Sequence, residues 1–304
     1  MADGTPSPTP AEPSRIEAWT IAARPRTLPA AVAPVVVGSA LAQFDDAFRW
    51  DSFVLAMAGA LAIQVAANFA NDASDAKRGA DVERVGPPRM VTAGVISPRQ
   101  MWTAVAFAVG VSAATGVWLF TIAGWPILAI GVVSVVAMLT YVGGPIPYGY
   151  RGLGEVMVFV FFGFVATVGT RFAHDGTAGG SAWIMGAVMG SLAAAILMAN
   201  NIRDLETDER VGKRTLAVMI GPDRARRLYS ILLIGPFALI AVAAGLGWIP
   251  VLAGITVLLL PLARPLIAKV YRESSPQGLI AVLGGTARLQ LLVALGLAAG
   301  ALAT

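Results

Sequence analysis

Residues 101–142 read MWTAVAFAVGVSAATGVWLFTIAGWPILAIGVVSVVAMLTYV, forty-two consecutive positions without a charge. A helix rises 1.5 Å per residue and needs about 20 apolar residues to cross a hydrocarbon core about 30 Å thick. The stretch is long enough for two crossings joined by a very short turn near Thr121. It sets the fold class: an all-α integral membrane bundle. Working outward, similar apolar segments cover 28–44, 53–71, 153–170, 183–201, 228–246, 249–266 and 279–303. Together with 101–120 and 122–142 they predict nine transmembrane helices. Arg288 divides the last segment, which allows a half-helix followed by a short span.

Composition agrees. The 304 residues are 57% hydrophobic and 13% charged, whereas a soluble domain is about a quarter charged. With the N-terminus inside the cell and nine alternating spans, nineteen of the 22 lysines and arginines fall on the cytoplasmic side. Arg49 and Arg171 fall outside, and Arg288 lies within a segment. This positive-inside bias accounts for the net charge of +4, so a nucleic-acid partner is not expected. Residues 1–14, rich in Pro, Ser and Thr, read as a disordered tail, and residues 15–304 as a single transmembrane domain. Cysteine is absent, which excludes thiolate chemistry and disulfides; the lone His174 argues against a histidine metal site.

Two polar motifs interrupt the apolar pattern. The second segment ends in Asn71-Asp72-Ala73-Ser74-Asp75 and the sixth in Asn200-Asn201-Ile202-Arg203-Asp204. Four spans separate them, so both fall on the same side of the membrane. The chain therefore reads as two pseudo-repeated four-helix halves plus one further helix. In the first loop Asn68, Asp72 and Asp75 follow 3–4 spacing, with Asn71 and Asp75 four apart and Asp81 beyond Gly79. In the second loop Asp204 and Asp208 are four apart. Like charges at that spacing repel on an ordinary helix; a divalent cation makes them useful. Oxygen-only ligands suit Mg²⁺, which takes one or two carboxylates, waters and phosphate oxygens. Lys77, Arg78, Arg89, Arg203 and Lys213 stand nearby to neutralise a diphosphate. Glu83, Glu206 and Glu209 read as ordinary solvated charge, while Gln64, Asn68, Asn71, Asn200 and Asn201 suit either interhelical hydrogen bonds or a site. A third cluster, from Tyr141 to Glu155, is dense in Gly and Pro and carries Tyr148, Arg151 and Glu155. Its tyrosines suit an interfacial belt, and Arg151 and Glu155 suit either a salt bridge or contacts to a phenolic substrate.

Four stretches carry a resemblance: RPRTLPAA at 24–31, NDASDAKRGAD at 71–81, YGYRGLGE at 148–155 and NNIRDLETDERVGKRTLAV at 200–218. They resemble the UbiA superfamily of intramembrane aromatic prenyltransferases over nearly the whole chain after the tail, and within it the branch that prenylates 1,4-dihydroxy-2-naphthoate. The superfamily's common first motif resembles N-D-x-x-D-x-x-x-D; here Gly79 stands at the last acidic position and Asp81 follows. The resemblance implies Mg²⁺-dependent transfer from a polyprenyl diphosphate to 1,4-dihydroxy-2-naphthoate with loss of the carboxyl group. It implies Asp72, Asp75, Asp81, Asp204 and Asp208 as metal ligands, and Asn71, Arg78 and Lys213, with Asn68 beside them, on the diphosphate. Tyr148, Arg151 and Glu155 are the expected acceptor side. It also implies a bacterial plasma membrane, with both acidic loops cytoplasmic. The alternatives are another aromatic acceptor, such as 4-hydroxybenzoate or homogentisate, and a cation-coupled transporter.

Overall fold

The computed structural model describes residues 13–78, 88–144, 147–273 and 275–303, except for the side chain of Arg78. Residues 1–12 of the expected tail at 1–14, and Asp81, lie outside the described residues. Ser14, grouped with the tail by composition, caps the first helix in a capping box with Glu17.

The structure is a helical bundle, with no strand among the described residues. Its principal helices are α1 (Arg15–Ala23), α2 (Pro29–Phe44), α3 (Trp50–Arg78), α4 (Pro98–Ala123) and α5 (Pro126–Val142). There follow α6 (Gly154–Asp175), α7 (Gly180–Arg203), α8 (Pro222–Gly245), α9 (Val251–Arg272) and α10 (Pro276–Leu302). Seven of these, α3, α4 and α6 to α10, are long and apolar enough to cross a membrane. The helical segment Arg15–Thr27, which continues α1 through a tight turn at Pro25–Thr27, and α2 are bent by 50° where they meet at Leu28 and together make an eighth candidate. Helix α5 is shorter, at 17 residues. The multi-pass bundle is therefore as expected; among the described residues, length and composition give seven or eight spans, and the count of nine is not confirmed. The last segment is one continuous helix. Arginine has good helix propensity, and exposed Arg288 does not interrupt its hydrogen bonding.

The core centres on α7, the most buried of the candidate spans. Its Met185, Met189, Leu192 and Met198 pack with α2, α8, α9 and α10. Helix α2 packs against both α10 and α6, so the first and last spans close the bundle. A second cluster joins α1, α3 and α4 around Ala66, Phe69, Met90 and Met101. Helices α6 and α7 approach closely because Gly163 faces Gly186 and Gly190; a Cβ on Gly190 would lie 2.5 Å from the Phe159 carbonyl oxygen. Without water to drive helices together in lipid, such small residues let backbones gain dispersion contact. Next to this contact α6 widens into a π-helix over Phe159–Val168, a distortion frequent at functional sites.

Candidate functional site

Helices α3 and α7 both finish in their polar motifs. On α3, Asp75 is buried: Oδ2 accepts from Arg89 Nη2 at 2.6 Å and Oδ1 from the Tyr150 hydroxyl at 3.0 Å. Asp72, also buried, faces the returning chain. Its Oδ2 accepts from the Met90 N–H and its Oδ1 from the Val91 N–H, both at 3.0 Å. It thereby anchors the segment that delivers Arg89 to Asp75. Asn68 Nδ2 donates to the Ala23 carbonyl at 2.8 Å and to Thr27 Oγ1, which Gln64 also reaches. These two amides tie α3 to the elbow before α2, the interhelical alternative drawn from the sequence. Asn71 Oδ1 is buried without a hydrogen-bond partner.

On the second motif, Asp204 Oδ1 accepts from Arg203 Nε at 2.6 Å, and Asp204 Oδ2 accepts from Asn200 Nδ2 at 3.2 Å. Arg203 Nη2 also donates to Asn200 Oδ1 at 2.9 Å. Asp208 lies on a short helix, Leu205–Arg210. Gly212, with φ +72°, then reverses the chain, so the Lys213 N–H donates to the Asp208 carbonyl and Lys213 Nζ reaches Asp208 Oδ1 at 3.2 Å.

The third cluster joins the two motifs. Tyr150, whose hydroxyl donates to Asp75, presents its ring to Lys213 Nζ, 5.6 Å from the ring centroid, within cation–π range. The backbones of Arg151 and Arg214 form an isolated parallel bridge that pins this loop to the second motif. Tyr148 donates to the Ala137 carbonyl at 2.8 Å and meets Tyr141 edge to face at 5.3 Å. Burial pushes the Tyr148 phenol up to about 12, so it stays neutral at physiological pH. Arg151 is exposed and makes no ion pair with Glu155. Glu155 is buried, with Oε1 accepting from Asn201 Nδ2 at 2.8 Å and Oε2 lacking a partner.

Below these groups lies an apolar cavity of about 320 Å³. Asn71, Tyr141 and Tyr148 line its polar end; Phe161, Phe162 and Val165 of the π-helical stretch line its side, and Leu55, Leu119 and Ala173 line its far end. From Leu55 to Asn71 along α3 is about 24 Å at helical rise.

The sequence located both acidic motifs and the Tyr148–Glu155 cluster. It did not single out Tyr150 or Tyr141 as site residues, and it left Asn201 between an interhelical hydrogen bond and a site; the structure shows Asn201 bonded to Glu155. The Tyr148-Gly-Tyr150 spacing was the available signal, since two tyrosines in one tight turn point apart. Among the described residues no three His, Cys, Asp or Glu side chains gather at one point. Each acid is instead held by a cation or an N–H. A hard divalent cation still suits this donor set, because Mg²⁺ needs only one or two carboxylates beside water and phosphate oxygens, and the partnerless Asn71 Oδ1 adds a neutral oxygen at the mouth.

Comparison with known proteins follows the same lines. Residues 31–283 match the UbiA prenyltransferase family. The chain is 38% identical over 289 residues to 1,4-dihydroxy-2-naphthoate octaprenyltransferase of Mycobacterium tuberculosis, covering 94% of this chain and 96% of that protein. It is 35% identical over 296 residues to the Escherichia coli protein of the same name, covering 92% and 93%. Among solved structures, a UbiA homolog from Aeropyrum pernix K1 in its apo form superposes with a TM-score of 0.71 at 18% identity, covering 92% of this chain and 98% of that one. One from Archaeoglobus fulgidus, bound to GPP and Mg²⁺, superposes with a TM-score of 0.61 at 16% identity, covering 93% and 99%. A matched family, relatives similar over almost their full length and a shared helical bundle lead to one conclusion: this chain belongs to the UbiA prenyltransferase family.

Proposed function

We propose that the protein transfers a polyprenyl chain from its diphosphate to 1,4-dihydroxy-2-naphthoate, with Mg²⁺ and with loss of the carboxyl group, giving a demethylmenaquinol. The observation that carries this reading is the connection from Asp75, one helical turn beyond Asn71, which lines an apolar cavity, through Tyr150 and Lys213 to Asp208. This supports a reading in which both acidic motifs and a cation act beside an apolar slot. The octaprenyltransferases named above and the UbiA homolog bound to GPP and Mg²⁺ support the same assignment of substrates and metal.

Asp75, Asp204 and Asp208 would hold Mg²⁺, with Asp81 beyond the described residues as a further ligand. Bound there, Mg²⁺ supplies positive charge that makes diphosphate a better leaving group. Lys213, Asn71 and Arg78 bind diphosphate oxygens; Arg89 and Arg203, already on the carboxylates, set the local charge. Asp72 contributes by holding the loop, since both its oxygens accept backbone N–H groups. The apolar walls take the polyprenyl tail and exclude water from the allylic cation. Tyr148, Arg151 and Glu155 form the acceptor side. We place the acidic motifs on the cytoplasmic face of a bacterial plasma membrane, from the basic residues that flank them, with residues 15–304 working as one unit.

The test is incubation of purified protein with a polyprenyl diphosphate, 1,4-dihydroxy-2-naphthoate and Mg²⁺. Mass spectrometry should find the decarboxylated, prenylated quinol; chelation should abolish it and added Mg²⁺ restore it. Preferential prenylation of 4-hydroxybenzoate or homogentisate in competition would reassign the acceptor.

A further inference from the structure

We propose that Glu155 is the general base of the transfer step. The inference rests on the substrates proposed above and deepens the reading of the acceptor side.

The unusual feature of Glu155 is its half-satisfied state. A carboxylate withdrawn from water is costly unless its oxygens find donors. Glu155 is 4% exposed; Asn201 serves Oε1, yet Oε2 has no partner among the described residues. Asn201 fixes the carboxylate from the helix that ends in the second acidic motif, so the group is oriented by the machinery that holds the diphosphate. Lys213 of that same motif reaches Asp208 and the Tyr150 ring. Tyr141, which packs against Tyr148, lines the cavity. A Cβ on neighbouring Gly154 would stand 3.2 Å from Leu197 Cδ2 and 3.6 Å from the Tyr141 hydroxyl, so the start of α6 packs directly against a residue of the cavity wall. Glu155 is thus a fixed, partly unsatisfied carboxylate, next in sequence to a glycine that packs against Tyr141 of the cavity wall.

The chemistry needs such a group. A phenolic hydroxyl has a pKa near 10 and is neutral at pH 7, so the naphthol ring becomes a strong nucleophile only as that proton leaves. The allylic carbon–oxygen bond breaks and its electron pair departs with diphosphate. The ring carbon bearing the carboxylate forms the new carbon–carbon bond, while the adjacent hydroxyl gives its proton to Glu155 and becomes a carbonyl. The product of that step is a β-keto carboxylate. It loses CO₂, the electrons of the broken bond form an enolate, and Glu155 returns the proton to the enolate oxygen. Glu155 ends as it began, and no oxidant, reductant or further acid is required.

The experiment compares wild type, Glu155→Gln and Glu155→Ala in detergent with Mg²⁺, after size-exclusion chromatography and thermal melts establish that all three are folded. Wild-type turnover tests the proposed function by itself; its absence would defeat that reading first. Given wild-type product, Glu155→Gln, which keeps an oxygen for Asn201, should lower kcat at least about a hundredfold, the contribution of a positioned base. The KM for prenyl diphosphate should be unchanged, and the variant should still release diphosphate slowly, forming the prenyl alcohol. Formate should restore quinol formation to Glu155→Ala. Wild-type kcat in Glu155→Gln, equal loss of diphosphate release and carbon–carbon bond formation, or absence of formate rescue would each overturn the assignment.

Discussion

The Tyr150 hydroxyl donates a 3.0 Å hydrogen bond to Oδ1 of Asp75, from 75 positions further along the chain. With Lys213 Nζ over the same ring, this contact ties the first acidic motif to the second. Tyr150→Phe keeps the ring and removes the hydroxyl. A hydrogen bond to a charged group contributes about 1.5–3 kcal/mol, so kcat/KM for the prenyl diphosphate should fall roughly tenfold or more. The melting temperature should fall by a few degrees, because the same hydrogen bond also stabilises the folded state. Steady-state kinetics beside a thermal melt checks both.

Asp75→Asn and Asp204→Asn should leave the protein folded in membranes and reduce Mg²⁺-dependent product below about a tenth of wild type, since a neutral amide binds a hard cation far more weakly than a carboxylate. Product analysis on membranes with matched protein levels measures this. Retained activity in either variant would remove that aspartate from the metal site.

Asp72→Asn should behave differently from Asp75→Asn. Asp72 accepts from the Met90 and Val91 backbones, and an amide keeps only one acceptor oxygen and turns a donor on the other N–H. The expected result is a lower melting temperature, with residual activity still responsive to Mg²⁺ at the wild-type concentration. A shifted Mg²⁺ requirement in a fully stable variant would place Asp72 on the metal instead.

Gly131 lines the cavity, and a Cβ built there meets nothing within 4 Å. Gly131→Leu should therefore be tolerated by the fold and fill tail space. Competition between short and long polyprenyl diphosphates should show kcat/KM for the long chain falling several-fold relative to the short one. An unchanged ratio would place the tail elsewhere.

Gly190→Val attacks the bundle rather than the site. Its Cβ would lie 2.5 Å from the Phe159 carbonyl and 3.1 Å from Gly163 Cα. Backbone cannot yield as a flexible side chain does, so overpacking should cost about 1–3 kcal/mol or more. A lower melting temperature in detergent and reduced yield from membranes are the expected readouts.

The amino-acid sequence by itself determined the membrane bundle, the two acidic motifs and the class of chemistry. Those properties are local: an uncharged run such as 101–142 must leave water whatever its neighbours, and acids spaced three or four apart at helix ends share a face wherever the helix goes. Tertiary structure alone decided which partner each polar group meets. Asp72 and Asp75 belong to one motif, yet Asp72 turns to backbone N–H groups at Met90 and Val91 while Asp75 meets Arg89 and Tyr150. Likewise, the 3–4 spacing put Asn68 on the same face as Asp75, but the elbow at Ala23–Thr27 takes up its amide. Arg151 and Glu155 are four apart, and packing leaves one exposed while Asn201 captures the other. Such pairings follow from how helices distant in sequence cross, and no local periodicity encodes where two side chains will meet.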